Sequence, residues 1–136
     1  MTITFNNCKA IQIEQLERLY TDVQWYAYTK DIEVLSQDIW QSLEVITAWV
    51  GEELVGLIRI VGDGLTSIYI QDILVLNAYQ NQGIASQLMQ QILCKYRTVR
   101  QKVLLTEEAL DVRHFYEKND FLSCNKGSLV AFSKLS

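Results

Sequence analysis

The residues best suited to chemistry lie in one short loop, Gln80-Asn-Gln-Gly83-Ile-Ala85, between a predicted strand and a predicted helix. Gly83 removes a side chain where the helix begins. The first N–H groups of a helix have no partner within it, and the helix dipole adds positive potential there. Such a helix start binds pyrophosphate. The alternative is an ordinary helix start, since the loop matches neither the ATP-hydrolysing nor the dinucleotide-binding glycine motif.

A second candidate for chemistry is Asp72, which interrupts the apolar strand Ile68-Tyr-Ile-Gln-Asp-Ile-Leu-Val. A carboxylate in so apolar a strand needs either a partner or a catalytic purpose, because burying an unpaired charge is costly. Two interpretations stand equal at this point. Asp72 accepts a proton as a general base, or it forms an ion pair with Arg59 on the neighbouring strand.

Three aromatic side chains lie within four residues of a predicted loop: Trp25, Tyr26 and Tyr28. Aromatic faces hold amines by cation–π attraction, so these rings could bind an amine. The alternative is a hydrophobic plug between the first two helices.

Composition excludes several classes of protein. The chain has 136 residues, which favours a single domain, and its net charge of −4 argues against a sequence-independent nucleic-acid binder. Cys8, Cys94 and Cys124 are too widely spaced to indicate a disulfide framework or a zinc site. No secretion signal or apolar stretch of membrane-spanning length is present. We therefore expect a cytoplasmic protein with no metal, no nucleic-acid partner and no membrane association.

The spacing of apolar residues predicts the elements that position these candidates. The predicted helices are Ile13–Val23, Asp31–Ser42, Gln82–Tyr96 and Leu110–Lys118. The predicted strands are Met1–Phe5, Glu44–Val50, Leu54–Val61, Ser67–Leu76, Lys102–Thr106, Phe121–Leu122 and Leu129–Ser133. Gly51 and the Gly62-Asp-Gly64 turn join three of these strands as antiparallel hairpins. The fold class is α/β (α+β), with a mixed, mostly antiparallel central sheet flanked by helices.

Two motifs identify a family resemblance. The segment Gln80-Asn-Gln-Gly83-Ile-Ala85 resembles the signature of the GNAT superfamily of acetyl-CoA-dependent N-acetyltransferases: Gln or Arg, two residues, Gly, one residue, Gly or Ala. Downstream, Phe115-Tyr116-Glu-Lys-Asn-Asp-Phe121 is similar to the family's Phe-Tyr-x-x-x-Gly-Phe element. The resemblance extends over about residues 44–132. It implies a GNAT-like fold, with residues 1–136 as a single N-acetyltransferase domain.

The resemblance also implies which residues bind acetyl-CoA. Three strand residues would offer backbone groups to the pantetheine arm, in the manner of an added strand: Ile73, Leu74 and Val75. Six loop residues would cradle the pyrophosphate with backbone N–H groups: Gln80, Asn81, Gln82, Gly83, Ile84 and Ala85. The chain departs from the family at Asp120, which must adopt a left-handed backbone where glycine is common. It departs again at Ala109, where many relatives carry a cofactor-contacting asparagine.

The resemblance places Tyr116 near the thioester sulfur. A tyrosine has an ordinary pKa of about 10, so a protonated phenol is available to donate to the departing thiolate. The alternative role for Tyr116 is a core aromatic beside Phe115. The aromatic loop occupies the place where the family's acceptor enters, which makes Trp25, Tyr26 and Tyr28 candidates for lining the acceptor pocket. Polyamine- and aminoglycoside-type relatives carry an acidic residue at the position of Asp72.

We therefore expect an N-acetyltransferase that transfers the acetyl group of acetyl-CoA to a primary amine of a small molecule. We expect direct attack within a ternary complex, because the three cysteines show no partner that would lower a thiol pKa. The alternatives are a protein or peptide N-acetyltransferase and a catalytically weak CoA-binding regulatory module. The sequence leaves open which amine is acetylated, whether Asp72 or water accepts the proton, and whether the chain forms a homodimer.

Overall fold

The computed structural model describes residues 2–136, so Met1 of the first predicted strand lies outside the described residues. The chain forms two compact units, Met1–Leu105 and Thr106–Ser136. The expectation of one N-acetyltransferase domain over residues 1–136 stays a prediction. No helix within residues 2–136 has both the length and the apolar character needed to cross a membrane.

The first unit is built around a five-stranded sheet with the strands in the order β1-β2-β3-β4-β5. The strands are β1 Thr4–Asn6, β2 Glu44–Val50, β3 Glu53–Gly62, β4 Ser67–Val75 and β5 Gln101–Val103. Each strand runs antiparallel to its neighbour except β5, which pairs with β4 in parallel. The prediction of a mixed, mostly antiparallel sheet flanked by helices is confirmed.

Among residues 2–136, four helices belong to the first unit and one to the second. They are α1 Ile13–Asp22, α2 Tyr26–Thr29, α3 Ile32–Gln41, α4 Ile84–Lys95 and, in the second unit, α5 Leu110–Lys118. Short 3-10 turns cover Asn77–Tyr79 and Cys124–Lys126. Asp31 caps α3, as its position before the apolar run indicates, because its side chain accepts the N–H of Val34.

The two faces of β3 receive different helices. Gly56 faces α4 at close range: a Cβ there would lie 3.3 Å from Ile84 and 3.4 Å from Leu88. Arg59 follows three residues later and therefore faces the opposite side, because side chains alternate along a strand. On that side Arg59 and Asp72 of β4 are opposite each other in the strand register. The candidate polar pair thus lies on the face covered by α1.

The hairpin turns follow the predicted chemistry. The β3–β4 turn is organised by the Asp63 carboxylate, which accepts the N–H groups of Leu65, Thr66 and Ser67. These backbone hydrogen bonds hold the pKa of Asp63 well below its usual range. Gly62 and Gly64 both take positive φ, which fits a tight turn in a chain without proline.

Four predicted elements differ from the structure. The predicted loop over residues 24–30 contains the short helix α2. A helix of four residues is too short to show a recognisable spacing of apolar residues. The predicted strand Lys102–Thr106 is shorter and begins earlier, at Gln101. The predicted strands Phe121–Leu122 and Leu129–Ser133 are wrong, because neither segment is a strand. The apolar residues of the second segment favour extended backbone, but strand formation depends on a neighbour to pair with. No strand pairs with it within residues 2–136.

Candidate functional site

The loop before α4 forms a helix start whose first backbone N–H groups have no partner within the helix. Gly83 is the N-cap, with a left-handed φ of +84°, and Asn81 is also left-handed with φ +63°. A Cβ at Gly83 would meet only Gln87, at 4.0 Å, so the backbone conformation rather than lack of space requires glycine. The first turn of α4 carries no acidic residue. This loop can therefore hold an anion.

The strand that leads into this loop has an open edge. β5 pairs only with Ser67–Tyr69 of β4, and no other strand covers that edge within residues 2–136. The Leu76 N–H donates to the Val55 carbonyl oxygen. By antiparallel alternation, the backbone groups of Ile73 and Val75 therefore point toward the open edge, whereas those of Leu74 point to β3. An extended ligand can pair with such an edge.

Gln80 joins this edge to the loop. Its side-chain Nε2 donates to the Val75 carbonyl oxygen at 3.0 Å. The contact occupies one outward-facing acceptor of β4 and fixes the beginning of the loop against the end of the strand. The structure thus brings the predicted cofactor-binding residues into one continuous stretch from Ile73 to Ala85, although their binding role stays a prediction.

Asp72 lies in a buried polar cluster. The Arg59 Nε donates to Asp72 Oδ2 at 2.8 Å, with the two side chains only 7% and 2% exposed. The Tyr20 hydroxyl donates to the same oxygen at 3.0 Å, and the Tyr28 hydroxyl donates to Oδ1 at 2.6 Å. We call these four residues the Asp72 cluster. The ion pair with Arg59 that the sequence left as an alternative is present, and the general-base role stays a prediction.

Electrostatics keep Arg59, Tyr20 and Tyr28 of the Asp72 cluster in one protonation state each. Burial lowers the pKa of Arg59, but the charge and hydrogen bond of Asp72 raise it by more, so the guanidinium stays charged. Burial, followed by the charge of Asp72, raises the pKa of Tyr20 and of Tyr28 above the ordinary value. Both phenols therefore remain protonated donors at neutral pH.

A β-bulge next to the cluster turns another side chain toward it. Arg59 pairs with Asp72 and Ile60 pairs with Ile70, which leaves Gln71 without an opposite residue. The Gln71 Nε2 donates to the Tyr28 hydroxyl oxygen at 3.2 Å. The Arg59 Nη2 also donates to this oxygen at 3.4 Å, so the hydroxyl of Tyr28 is held from both strands of the β3–β4 pair.

Of the three predicted aromatic residues, the structure brings Trp25 and Tyr28 together and leaves Tyr26 apart from them. The Tyr28 and Trp25 rings lie 5.1 and 6.0 Å from the ring of Tyr20, and 6.3 Å from each other. Tyr26 is 56% exposed and does not join them. Trp25 and Tyr28 therefore pack against α1 next to Asp72, which is the contact expected of a hydrophobic plug. Their role in lining an acceptor pocket stays a prediction, as does that of Tyr26.

Tyr116 belongs to the second unit and is half-buried on α5. Its ring contacts Phe115 and Phe121 edge-on, at centroid distances of 5.1 and 5.9 Å. Burial raises the pKa of Tyr116 and a hydrogen bond with Thr106 partly opposes this, so the phenol is protonated at neutral pH. Asp120 has a φ of +69°, which confirms its predicted left-handed backbone. The role of Tyr116 as an acid stays a prediction.

Sequence reasoning missed several residues of the site. Tyr20 lies within the predicted helix Ile13–Val23, and the available signal was that a buried tyrosine hydroxyl needs a polar partner. Asp22 and Asn77 join α1 to the segment before the loop: the Asn77 N–H donates to Asp22 Oδ2 at 2.6 Å, and Asn77 Nδ2 donates to the Asp22 carbonyl oxygen at 2.8 Å. No group of His, Cys, Asp and Glu side chains within residues 2–136 is arranged to hold a metal ion.

Comparison with known proteins adds to this geometry. Residues 41–122 match the family model of an acetyltransferase (GNAT) domain. The chain is similar to the structure of a GNAT-family acetyltransferase from Streptococcus pneumoniae, with 33% identity and a TM-score of 0.87, over 99% of this chain and 98% of that one. No curated protein matches the sequence.

Two more distant structures share the fold alone. One is a probable acetyltransferase from Staphylococcus aureus, with 22% identity and a TM-score of 0.77 over 98% of this chain and 100% of that one. The other is the PaiA N-acetyltransferase from Thermoplasma acidophilum in complex with coenzyme A. It has 13% identity and a TM-score of 0.71 over 88% of this chain and 89% of that one.

Proposed function

Because the chain belongs to the GNAT acetyltransferase family, whose members are acetyl-CoA-dependent acyltransferases, we propose that it transfers the acetyl group of acetyl-CoA to a primary amine of a small molecule. The observation that carries this proposal is the open edge of β4, which is followed, after the 3-10 turn Asn77–Tyr79, by the left-handed start of α4. The coenzyme A bound to the Thermoplasma acidophilum relative of the same fold supports the same ligand.

Acetyl-CoA would bind along this edge and loop. The extended pantetheine arm would pair with the outward-facing backbone groups of Ile73 and with the N–H of Val75, whose carbonyl oxygen already accepts from Gln80, as an added strand does. The pyrophosphate would accept hydrogen bonds from backbone N–H groups at the start of α4, where the helix dipole favours negative charge. We also propose that residues 1–136 act as one N-acetyltransferase domain, because the family match from residue 41 to 122 continues through both compact units.

The reaction proceeds by direct attack. An alkylamine is mostly protonated near neutral pH, so its nitrogen must first lose a proton. The free lone pair then forms a bond to the thioester carbonyl carbon, and the carbon–sulfur bond breaks. The acetamide nitrogen loses a second proton while the departing thiolate gains one. The products are the N-acetylated amine and free coenzyme A, with one proton released for each ammonium consumed.

We assign the proton for the departing thiolate to Tyr116. The raised pKa of Tyr116 keeps its hydroxyl protonated at neutral pH, which is the state that a general acid requires. The amine proton has two routes, to Asp72 as the general base or to water. The acceptor would meet the aromatic group of Trp25, Tyr26 and Tyr28, and the net charge of −4 also favours a cationic amine.

The test is a release assay run beside a binding assay. Free thiol released from acetyl-CoA is measured with a panel of small amines and lysine-containing peptides, and the acetylated product is identified by mass spectrometry. We expect release with at least one small amine, together with a rise in melting temperature on adding acetyl-CoA. Acetylation of peptides alone would make the chain a peptide acetyltransferase. Acetyl-CoA binding without acetylation of any acceptor would make it a CoA-binding module.

A further inference from the structure

We propose that Asp72 acts on the reaction through Tyr28, as a positioning residue, and that the proton of the acceptor amine passes to water. The inference rests on the proposed function. It assigns the removal of the amine proton, for which the proposed function leaves two routes open. It makes Tyr28, rather than Asp72, the member of the Asp72 cluster that meets the acceptor.

The first support is access to the carboxylate. Asp72 is buried, and its two oxygens already accept hydrogen bonds from three donors: Arg59 and Tyr20 on Oδ2 and Tyr28 on Oδ1. Tyr28 is half-buried and Gln71 is exposed, so these two side chains form the outer side of the cluster. An amine approaching from solvent on this side therefore meets Tyr28 and Gln71 before the carboxylate.

The second support is the way Tyr28 is held. Its hydroxyl donates to Asp72 Oδ1 at 2.6 Å and accepts from Gln71 Nε2 at 3.2 Å and from Arg59 Nη2 at 3.4 Å. The Arg59 guanidinium carbon lies 5.9 Å from the centroid of the Tyr28 ring. The Asp72–Arg59 pair thus fixes both the hydroxyl and the ring of Tyr28. A side chain held at this many points presents one orientation to a ligand.

The third support is the charge balance of the cluster. The titratable or charged groups that face Asp72 are Tyr20 from α1, Tyr28 from α2 and Arg59 from β3. Arg59 neutralises Asp72, so a proton taken up by the carboxylate would leave a buried guanidinium without its counter-ion, which is costly. Transfer to water avoids that cost: the ammonium gives one proton to a water molecule, and the free lone pair then attacks the thioester.

A matched control exists at the other end of α4. The Tyr96 hydroxyl donates to Glu44 Oε1 at 2.8 Å, and the same oxygen pairs with Lys95 at 2.6 Å. This is also a tyrosine donating to a buried, paired carboxylate, but Glu44 pairs with Ile60 and therefore lies on the face of the sheet opposite to Arg59. Tyr96→Phe therefore removes a comparable hydrogen bond without touching the proposed acceptor side.

The experiment measures steady-state kinetics for Tyr28→Phe, Asp72→Asn and Tyr96→Phe with an amine that the wild-type protein acetylates. In Tyr28→Phe the KM for the amine should rise about tenfold, because the lost hydrogen bond orients a ring that contacts the ligand, while kcat stays within about threefold of the wild-type value.

Asp72→Asn keeps an oxygen that can accept from Tyr28 but removes the basic group. It should raise the amine KM while lowering kcat by less than about threefold, with the pH dependence of kcat/KM unmoved. Tyr96→Phe should leave the amine KM unchanged.

The outcomes separate the alternatives. A loss of kcat of about 10²-fold in Asp72→Asn, with a shifted pH profile, would make Asp72 the general base and overturn the inference. An unchanged amine KM in Tyr28→Phe, or an equal rise in Tyr96→Phe, would overturn it as well. Absence of amine acetylation by the wild-type protein would instead refute the proposed function, and the inference with it.

A second variant covers the case in which Asp72→Asn does not fold. The double replacement Arg59→Met with Asp72→Leu removes both charges together, which proteins tolerate better than the loss of one partner. It leaves Tyr28 without its anchor, so the amine KM should rise as in Tyr28→Phe while most of kcat is retained. Loss of kcat by about 10²-fold in this folded protein would overturn the inference.

Discussion

The loop before α4 and the Asp72 cluster are constructed from different parts of the chain. The loop uses backbone: left-handed Asn81 and Gly83, the unpaired N–H groups of a helix start, and an open strand edge. The cluster uses side chains that come together from positions 13, 44 and 52 residues apart. A site built from backbone depends on φ and ψ at a few positions. The geometry of a site built from side chains depends on the placement of every helix and strand that contributes a side chain to it.

This difference predicts separate consequences for stability and for binding. Changes at residues 80–83 should alter acetyl-CoA binding and leave the fold intact, because these four residues are exposed and contribute little to the core. Changes in the cluster should alter stability first, because it joins α1 and α2 to β3 and β4 across a buried ion pair. The predictions below test that separation.

The largest effect is expected from Arg59→Ala. It leaves Asp72 buried without its counter-ion and should lower the free energy of unfolding by about 3–5 kcal/mol. The matched control is Lys95→Ala, whose 52% exposed side chain pairs with Glu44. We expect a loss of less than about 1 kcal/mol there, because the Lys95 charge is in contact with water and the buried Glu44 keeps its hydrogen bond from Tyr96. Chemical denaturation measures both, and equal losses in the two variants would contradict the special position of the cluster.

Gly83→Asp should remove acetyl-CoA binding without unfolding the protein. A side chain and a negative charge would enter the anion-binding start of α4, and aspartate at φ +84° is less favourable than glycine. A ligand at one hundred times its Kd stabilises the native state by about 2.7 kcal/mol, and we expect this stabilisation to disappear. Gly83→Asn adds a similar side chain without the charge and should retain part of it. A wild-type thermal shift in folded Gly83→Asp would refute the assignment of the loop.

Tyr116→Phe tests the chemical step apart from both regions. It keeps the ring contacts with Phe115 and Phe121 and removes only the hydroxyl. We expect kcat to fall about 10²-fold, equivalent to about 2.7 kcal/mol, while the affinity for acetyl-CoA changes by less than about tenfold. An acetyl thioester with a more acidic leaving thiol should recover part of the rate. A wild-type kcat in this variant would leave Tyr116 a packing residue.

The smallest effect is expected at Asn81. If the loop binds acetyl-CoA with its backbone N–H groups, the Asn81→Gly variant should bind acetyl-CoA about as well as the wild-type protein. Glycine adopts a φ of +63° without strain. Asn81→Ala should weaken binding or stability by about 1 kcal/mol, since alanine disfavours this conformation. Calorimetric titration with acetyl-CoA distinguishes the two. An equal, large loss of affinity in both would mean that the amide side chain contributes and that the loop is not a backbone site.

The sequence was most informative where structure is local. Strands β2, β3 and β4 and helix α4 were predicted to within two residues at each end, because apolar periodicity and turn residues specify them directly. The helix start at Gly83 was also predicted, since glycine adopts such a conformation easily, whereas the left-handed backbone of Asp120 was expected from the family resemblance, in which glycine is common at that position.

Long-range features were less predictable. The hydroxyl partners of Asp72 come from α1 and α2, and no local pattern indicates which distant tyrosine meets a buried carboxylate. The bulge at Gln71 arises from the register between two strands, which is a property of the pair. The predicted strand Leu129–Ser133 failed for the same reason, because a strand requires a partner that its own residues do not specify.

The most direct test of amine acetylation in a ternary complex is a set of initial velocities at crossed concentrations of acetyl-CoA and an accepted amine. Direct attack requires both substrates to be bound together, so double-reciprocal plots should intersect, and the product should be the N-acetylated amine. Parallel lines, together with an acetylated protein recovered after incubation with acetyl-CoA alone, would contradict direct attack and indicate a covalent acetyl intermediate.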